Sequence, residues 1–135
     1  MDTIKLEIPS LQENVRIVES FIDNTKEKFQ LTDDIYGNIM IAVTEAVNNA
    51  IVHGNNCDKD KTVKLELTHC TQEGQICFQV EDQGIGFDYE HLPDPTAPEN
   101  IYKTSGRGIF LMKRLCDEVD FLEKGRIVKL SFYLN

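Results

Sequence analysis

Residues 39–55 constrain the fold most, because one apolar face runs unbroken along the whole segment. The apolar side chains at helical spacing are Ile35, Ile39, Ala42, Val43, Ala46, Val47, Ala50 and Ile51. This spacing predicts one long amphipathic helix that begins at Thr32 or Asp33. At about 100° per residue, Glu45 and Asn49 lie about 40° apart at one edge of that face. We expect these two side chains to face a cleft or a packed surface.

The alternative for this segment is an ordinary surface helix that carries two common polar residues. Such a helix would simply stop at Gly54 and Asn55, which disfavour further helix. The rest of the chain decides between the two interpretations.

Composition restricts the class of protein. A length of 135 residues with 41% hydrophobic residues predicts a single globular domain over residues 1–135. The net charge of −9, without a basic cluster, excludes nucleic acid as a favoured partner. The sequence has no apolar run of membrane-helix length and no signal peptide, and its four cysteines lack metal-ligand spacing. We therefore expect a cytoplasmic protein with reduced thiols and no membrane contact.

The remaining periodicity predicts the fold class. Alternating apolar residues indicate strands at residues 3–8, 62–70, 75–81, about 119–123 and about 126–134. The predicted helices are residues 10–29, opened by a Ser10–Glu13 capping box, the long central helix, and residues 109–116. Residues 88–105 contain three prolines and predict a long loop, typical of either a functional lid or a disordered segment. This order indicates an α+β two-layer sandwich, with helices on one face of a mixed, mostly antiparallel sheet.

The segment Asp82-Gln-Gly84-Ile-Gly86 follows directly on a predicted strand. A carboxylate and two glycines at a strand end are typical of a place where backbone approaches another group closely. An ionised Asp82 only accepts hydrogen bonds, so it would suit an amino group such as the exocyclic amine of adenine. The alternative is a plain turn, since Asp-x-Gly is common at strand ends.

A second glycine segment, Gly106-Arg107-Gly108, opens the third predicted helix. Free N–H groups and the helix dipole favour an anion at such a position, and a polyphosphate would fit it. Lys103, in the preceding loop, would either fold over that anion or remain solvated. The alternative for the whole segment is a flexible hinge that leads into a helix.

Taken together, these segments predict a single ligand. Asp82 would bind the base of this ligand, and the start of the third helix would bind its phosphates. Asn49 offers a carbonyl oxygen to a hard cation such as Mg²⁺, which takes few protein ligands besides phosphates and water. Glu45 is placed to accept a proton from an attacking hydroxyl near the terminal phosphate.

Three motifs, in order, resemble those of one superfamily. Residues 45–54, Glu-Ala-Val-Asn-Asn-Ala-Ile-Val-His-Gly, resemble the N-box of the ATPase–kinase superfamily of gyrase, a heat-shock chaperone, mismatch-repair proteins and histidine kinases. Residues 82–86 resemble its first glycine box, and residues 105–112 resemble its second. The compact length and the Thr-Glu-Ala-Val…His-Gly form resemble one branch, the anti-sigma factor serine/threonine kinases of bacteria.

The resemblance implies the Bergerat fold, with ATP and Mg²⁺ bound between the helices under a mobile lid. It implies that Asn49 is the magnesium ligand, Glu45 the catalytic base and Asp82 the reader of adenine. The nucleotide-binding positions are then Asn49, Asp82, Gly84, Gly86, Lys103, Ser105, Gly106, Arg107 and Gly108. Members of this branch phosphorylate a small anti-sigma-factor antagonist on serine or threonine, sequester a sigma factor, and typically form homodimers.

The chain departs from the family at two places. Gly125 is followed by Arg126, where the family often has a threonine that contributes to the adenine pocket. Arg107 occupies a variable position and either touches phosphate or faces solvent.

Three interpretations of function stay open. The first is a kinase of the antagonist, and the second is a nucleotide-binding anti-sigma module with little or no kinase activity. In the third, the regulated partner is not a sigma factor.

Overall fold

The computed structural model describes residues 2–70, 73–86 and 107–134. The strands of this part are β1 (Asp2–Pro9), β2 (Thr62–Cys70), β3 (Gln75–Glu81), β4 (Glu118–Leu122) and β5 (Ile127–Tyr133). The helices are α1 (Val15–Lys28), α2 (Asp33–Asn49) and α3 (Arg107–Leu115). Short helical turns cover Gln12–Asn14, Ala50–Gly54 and Glu123–Gly125. The loop predicted at residues 88–105 lies outside the described residues.

The strands form one sheet with the spatial order β1-β2-β3-β5-β4. Every pairing between the described strands is antiparallel. Leu65 pairs with Val80, and Val80 pairs with Val128, so the buried residues of three strands lie on the same face. The predicted α+β two-layer architecture is confirmed. Strands β2 and β3 have their predicted bounds, and the other three strands differ from theirs by one residue at each end.

The core lies between this sheet face and the helices. Helix α2 contributes the central layer, with Ile39, Ala42, Val43, Ala46 and Val47 all buried. Each large apolar side chain removed from water in this way contributes about 1.5–3 kcal/mol. Phe78 on β3 and Phe132 on β5 pack edge to face beneath these helices, with ring centroids 6.1 Å apart. The apolar face that was predicted for the long helix is therefore the face that holds the two layers together.

Helix α2 begins where the sequence predicts it, at Asp33, with Thr32 as the N-cap residue. The Thr32 side chain accepts a hydrogen bond from Ile35 N at 3.3 Å, as an N-cap residue does. Asp33, in the first turn, pairs with Lys26 of α1 at 2.7 Å. The Tyr36 hydroxyl donates to Asp23 of α1. These contacts fix the angle at which α2 leaves α1.

The predicted capping box at the start of the first helix is wrong. Ser10 is fully buried, and its hydroxyl donates to the backbone oxygen of Lys61 at 2.8 Å. A short helical turn, Gln12–Asn14, follows before α1 begins at Val15. The hydrogen-bond partner of Ser10 is 51 residues away in the sequence, so local spacing could not reveal this contact.

None of the helices in residues 2–70, 73–86 and 107–134 combines the length and apolar character needed to cross a membrane.

Candidate functional site

Glu45 and Asn49 lie at the place where α3 packs against α2. Both side chains are half-buried, one turn apart on α2. A Cβ atom on Gly108 of α3 would lie 2.9 Å from Glu45 Oε2 and 2.8 Å from Asn49 Nδ2. Real Cβ atoms do not approach so closely, so any larger residue at position 108 would displace the two polar groups. The carboxylate and the amide therefore lie against the first turn of α3.

A wide helical turn extends α2 toward the end of β3. Residues Ala50–Gly54 form a π-helical turn, in which Asn55 N donates to Ala50 O at 2.8 Å. Such turns are uncommon and occur often at functional sites. A Cβ atom on Gly54 would lie 2.3 Å from Asp82 Cγ. The end of this helical run therefore lies directly against the Asp82 carboxylate.

Asp82 is a buried carboxylate, with 7% of its surface exposed. Its Oδ1 accepts a hydrogen bond from Gly84 N at 2.8 Å. Burial raises the pKa of Asp82 above its ordinary value, while the Gly84 N–H and the nearby Arg126 oppose that rise. A Cβ atom on Gly84 would lie 2.1 Å from Gly54 O, so the two glycines allow the backbones to meet here.

Gly86 carries the chain past the turn before β5. Its φ angle of +90° lies in the region that favours glycine, and an added Cβ would lie 2.3 Å from Lys124 O. The requirement for glycine at this position comes from backbone conformation and from the neighbouring turn.

Arg126 lies next to Asp82. Its Nη1 lies 3.5 Å from Asp82 O, and Asp82 N donates to Arg126 O at 3.0 Å. Its guanidinium also lies 3.7 Å from Glu81 and 3.8 Å from Glu123. Arg126 thus supports the backbone and the charge of Asp82 from the side away from α2.

A cavity of about 340 Å³ opens on the sheet face opposite the helices. Its lining residues are Thr62, Lys64, Glu81, Gln83, Gly84 and Arg126. It shares the Gly84 backbone with the site on the helix side. Glu45 and Asn49 do not line it.

The predicted site residues divide into four groups, one of which is Gly86 alone, beside the turn at Lys124. The structure brings Glu45, Asn49 and Gly108 together, and it brings Asp82 and Gly84 against the end of the same helical run. The backbone of Arg107 begins α3, but its side chain is not described. The predictions on Lys103, Ser105 and Gly106 fall outside the described residues.

Sequence reasoning missed two residues of this site, Gly54 and Asn55. Both look like the end of a helix, and that interpretation is correct for the backbone. Their contacts with residues 82–84 are made across the fold, at a separation of 28 residues. The N-box pattern that includes Gly54 was the one signal that could have drawn attention to it.

The donor set fits a nucleotide with its magnesium ion. The glycines bring Asp82, Glu45 and Asn49 close to the backbone of neighbouring elements, and the carboxylate of Asp82 suits an amino group. Among the described residues, no group of three or more His, Cys, Asp or Glu side chains could hold a metal ion by itself. A magnesium ion held by Asn49 and by phosphates needs no such group.

Comparison with known proteins agrees with this geometry. Residues 8–132 match the family described as the histidine kinase-like ATPase domain. An anti-sigma F factor of Clostridium perfringens is 38% identical over 106 residues, which cover 75% of this chain and 69% of that protein. The serine-protein kinase RsbW of Bacillus velezensis is 30% identical over 142 residues, which cover all of this chain and 88% of that protein. The chain therefore belongs to the histidine kinase-like ATPase domain family, among relatives that include anti-sigma factors and serine kinases.

A solved structure shows the same fold. The crystal structure of the RsbU and RsbW domains of a Mycobacterium tuberculosis protein matches 99% of this chain with a TM-score of 0.69 and 14% identity. This chain covers 32% of that longer chain.

Proposed function

We propose that this chain binds Mg²⁺-ATP at the corner between α2, α3 and the end of β3. The observation that carries the proposal is the placement of Gly108 against Glu45 and Asn49, and of Gly54 against Asp82. One helical run from Glu45 to Gly54 thereby links the two halves of the site. Membership of the ATPase domain family supports ATP as the nucleotide.

Each polar group has a distinct proposed role. The Asp82 carboxylate accepts a hydrogen bond from the adenine amine, and the Asn49 carbonyl oxygen ligates Mg²⁺. Glu45 accepts the proton of the substrate hydroxyl. When bound, ATP supplies the phosphoryl group, and Mg²⁺ offsets the charge on its phosphates.

The remaining proposed nucleotide contacts come from the backbone and from the segment before α3. Close approach of the backbone is proposed at Gly84, Gly86, Gly106 and Gly108. The other proposed contacts are Lys103, Ser105 and Arg107.

We propose that the reaction is transfer of phosphate to a serine or threonine of an anti-sigma-factor antagonist. The relatives named serine-protein kinase support the kinase activity, and the relatives named anti-sigma F factor support a sigma factor as the second partner. Catalysis of this kind depends on positioning and electrostatics, and this chain offers both through Glu45 and Asn49.

A second candidate is a nucleotide-dependent anti-sigma module with little or no kinase activity. The relative at 38% identity carries a name that describes binding, whereas those named as kinases are 28–30% identical to the chain. Capture of a sigma factor without phosphotransfer to any antagonist would favour this candidate.

The test is a phosphotransfer assay with Mg²⁺-ATP and the antagonist that copurifies with the protein. We expect phosphoserine or phosphothreonine with the wild-type chain. Glu45→Gln should reduce the transfer rate by a factor of about 10²–10⁴, because it removes the base, and should leave ATP binding intact. Unchanged transfer in this variant would contradict the role of Glu45.

We also propose a homodimer in the cytoplasm. The resemblance to the anti-sigma factor kinases supports both statements. Light scattering on the purified protein measures the mass directly, and the mass of a single 15.4 kDa chain would contradict the dimer.

A further inference from the structure

A buried asparagine ties three parts of the chain together behind the Asp82 carboxylate. Asn55 is fully buried. Its Nδ2 donates to Ser10 Oγ at 2.7 Å and to Thr62 O at 3.0 Å. Its Oδ1 accepts a hydrogen bond from Gln83 N at 2.7 Å. Both ends of the side-chain amide are therefore satisfied, and two of the three partners are distant in sequence.

The last of these bonds acts on the residue that follows Asp82. The pairing of β3 with β5 ends at Glu81 and Ile127, and Asp82 N still donates to Arg126 O. Beyond that point, Asn55 Oδ1 holds Gln83 N, and the Asp82 carboxylate holds Gly84 N. Side chains thus take over from the sheet in fixing the course of residues 82–84.

The same two short segments touch a second time through their backbones. Gly54, which precedes Asn55, packs against the Asp82 carboxylate, and its oxygen lies close to Gly84. The Gln83 side chain accepts a hydrogen bond from Thr62 N at 2.7 Å, so Gln83 is held at both its backbone and its side chain. We call residues 54–55 and 82–84 the clasp.

Loss of Asn55 would remove hydrogen bonds from three polar groups, of which Ser10 Oγ would keep its bond to Lys61 O. Ser10 Oγ and Thr62 O would lose a donor, and Gln83 N would lose its acceptor. Such groups avoid the cost of burial by moving toward water, and in the clasp that movement would shift the backbone beside Asp82. The position of the carboxylate therefore depends on Asn55.

We propose that Asn55 is a positioning residue for nucleotide specificity, which holds the Asp82 carboxylate where it reads the amino group of a purine base. This proposal rests on the proposed function, in which Asp82 contacts adenine. The ligand class is a purine nucleotide with a 6-amino group, and the analogue that it rejects is inosine triphosphate, which carries a carbonyl oxygen at that position. A displaced carboxylate would lose this discrimination, while contacts to the phosphates would remain.

The test compares the Kd for ATP with that for inosine triphosphate, both with Mg²⁺, in three proteins. The wild-type chain should prefer ATP by about tenfold or more, because the analogue leaves the buried carboxylate unpaired. Asn55→Ala should reduce that preference by a factor of about 10. The matched control is Ser10→Ala, which removes two hydrogen bonds from the same network and leaves the bond to Gln83 N in place. It should lower the thermal midpoint and keep the preference.

The outcomes separate this proposal from the proposed function. If the wild-type chain binds both nucleotides equally, the assignment of Asp82 fails, and this proposal fails with it. If the wild-type preference is present and Asn55→Ala keeps it, this proposal alone is wrong. An equal loss of preference in Ser10→Ala would also overturn it, because general loosening of the network would then be the cause.

A measurement on the wild-type chain keeps the proposal testable if Asn55→Ala does not fold. The Gln83 amide lies beyond the end of the sheet pairing, so its protection from hydrogen exchange depends on Asn55 Oδ1. We expect it to exchange as slowly as the paired amides of β3. Exchange at the rate of exposed backbone would overturn the proposal.

Discussion

The surroundings of the Asp82 side chain disfavour its ionised form. Burial is the largest influence on it and raises its pKa above the ordinary value of 3.8. The Gly84 N–H, Arg126 and Lys61 act in the opposite direction, and Glu81 acts with burial. An ionised carboxylate at this buried position lowers the stability of the fold. Its presence is therefore consistent with a role in binding.

We expect Asp82→Asn to separate folding from binding. The variant keeps an oxygen for Gly84 N and places an NH₂ group where the second carboxylate oxygen lies. This NH₂ would face the adenine amine, donor against donor, so ATP binding should weaken about tenfold or more. Calorimetric titration with Mg²⁺-ATP measures this change, and unchanged affinity would contradict the adenine assignment.

The stability of Asp82→Asn should depend on pH in a defined direction. Because the folded-state pKa is raised, Asp82 favours folding below about pH 3.8, and this contribution is lost as the pH rises through the folded-state pKa. Asparagine has no such titration. The thermal midpoint of the variant should therefore rise relative to the wild-type value between about pH 4 and about pH 7. A difference that is constant or shrinks over this range would show that burial does not dominate.

At the scale of elements, the contact between α2 and α3 depends on one glycine. A Cβ on Gly108 would press on Glu45 Oε2 and Asn49 Nδ2, which are the ends of side chains and can move aside. We expect Gly108→Ala to fold, because alanine favours helix by about 1 kcal/mol over glycine. Phosphotransfer should fall by about a hundredfold, because both polar groups are displaced.

Gly37→Ala is the matched control for this helix substitution. Gly37 lies within α2, and an added Cβ would meet nothing within 4 Å. It should stabilise the protein by up to about 1 kcal/mol and leave phosphotransfer unchanged. Equal activity losses in both variants would mean that helix stiffness, and not the approach of α3, governs the rate.

The elements were predictable where one local pattern decided them. The apolar face of α2, its Thr32 cap and the alternation in β2 and β3 each follow from neighbours in sequence. The π-helical turn at Ala50–Gly54 carries no such pattern, because it arises from packing against the end of β3. The prediction that Ser10 begins a helix failed for the same reason, since Lys61 O became its partner only on folding.

The site was predictable in part. Helical spacing placed Glu45 and Asn49 on one edge of α2, and the glycines indicated the start of α3, but the approach of Gly108 to the two polar groups required the fold. The contact of Gly54 with Asp82 and the Asn55–Gln83 bond join segments 28 residues apart, so they required the fold.

At the scale of the whole molecule, the two faces of the sheet have different surroundings near Asp82. The helices cover one face, and the cavity lined by Lys64, Glu81 and Arg126 opens on the other. Gln83 and Gly84, which follow Asp82 in the chain, are among the residues that line this cavity. The proposed nucleotide site is on the other side, where the helices lie.

Mg²⁺-ATP should stabilise the molecule as a whole. A ligand that binds only the folded state adds about 2.7 kcal/mol at a free concentration of about 100 times its Kd. Thermal denaturation with and without Mg²⁺-ATP measures this gain, and Asp82→Ala should lose most of it. An equal shift in both proteins would place the nucleotide away from Asp82.

The proposed function depends on where the nucleotide binds. Changes in amide chemical shifts during titration with Mg²⁺-ADP report that location directly. We expect the largest changes in residues 45–55, 82–84 and 108–112, which surround one corner of the fold. Changes centred on Thr62, Lys64 and Arg126, with Glu45, Asn49 and Gly108 unaffected, would place the nucleotide in the cavity on the opposite face and contradict the account.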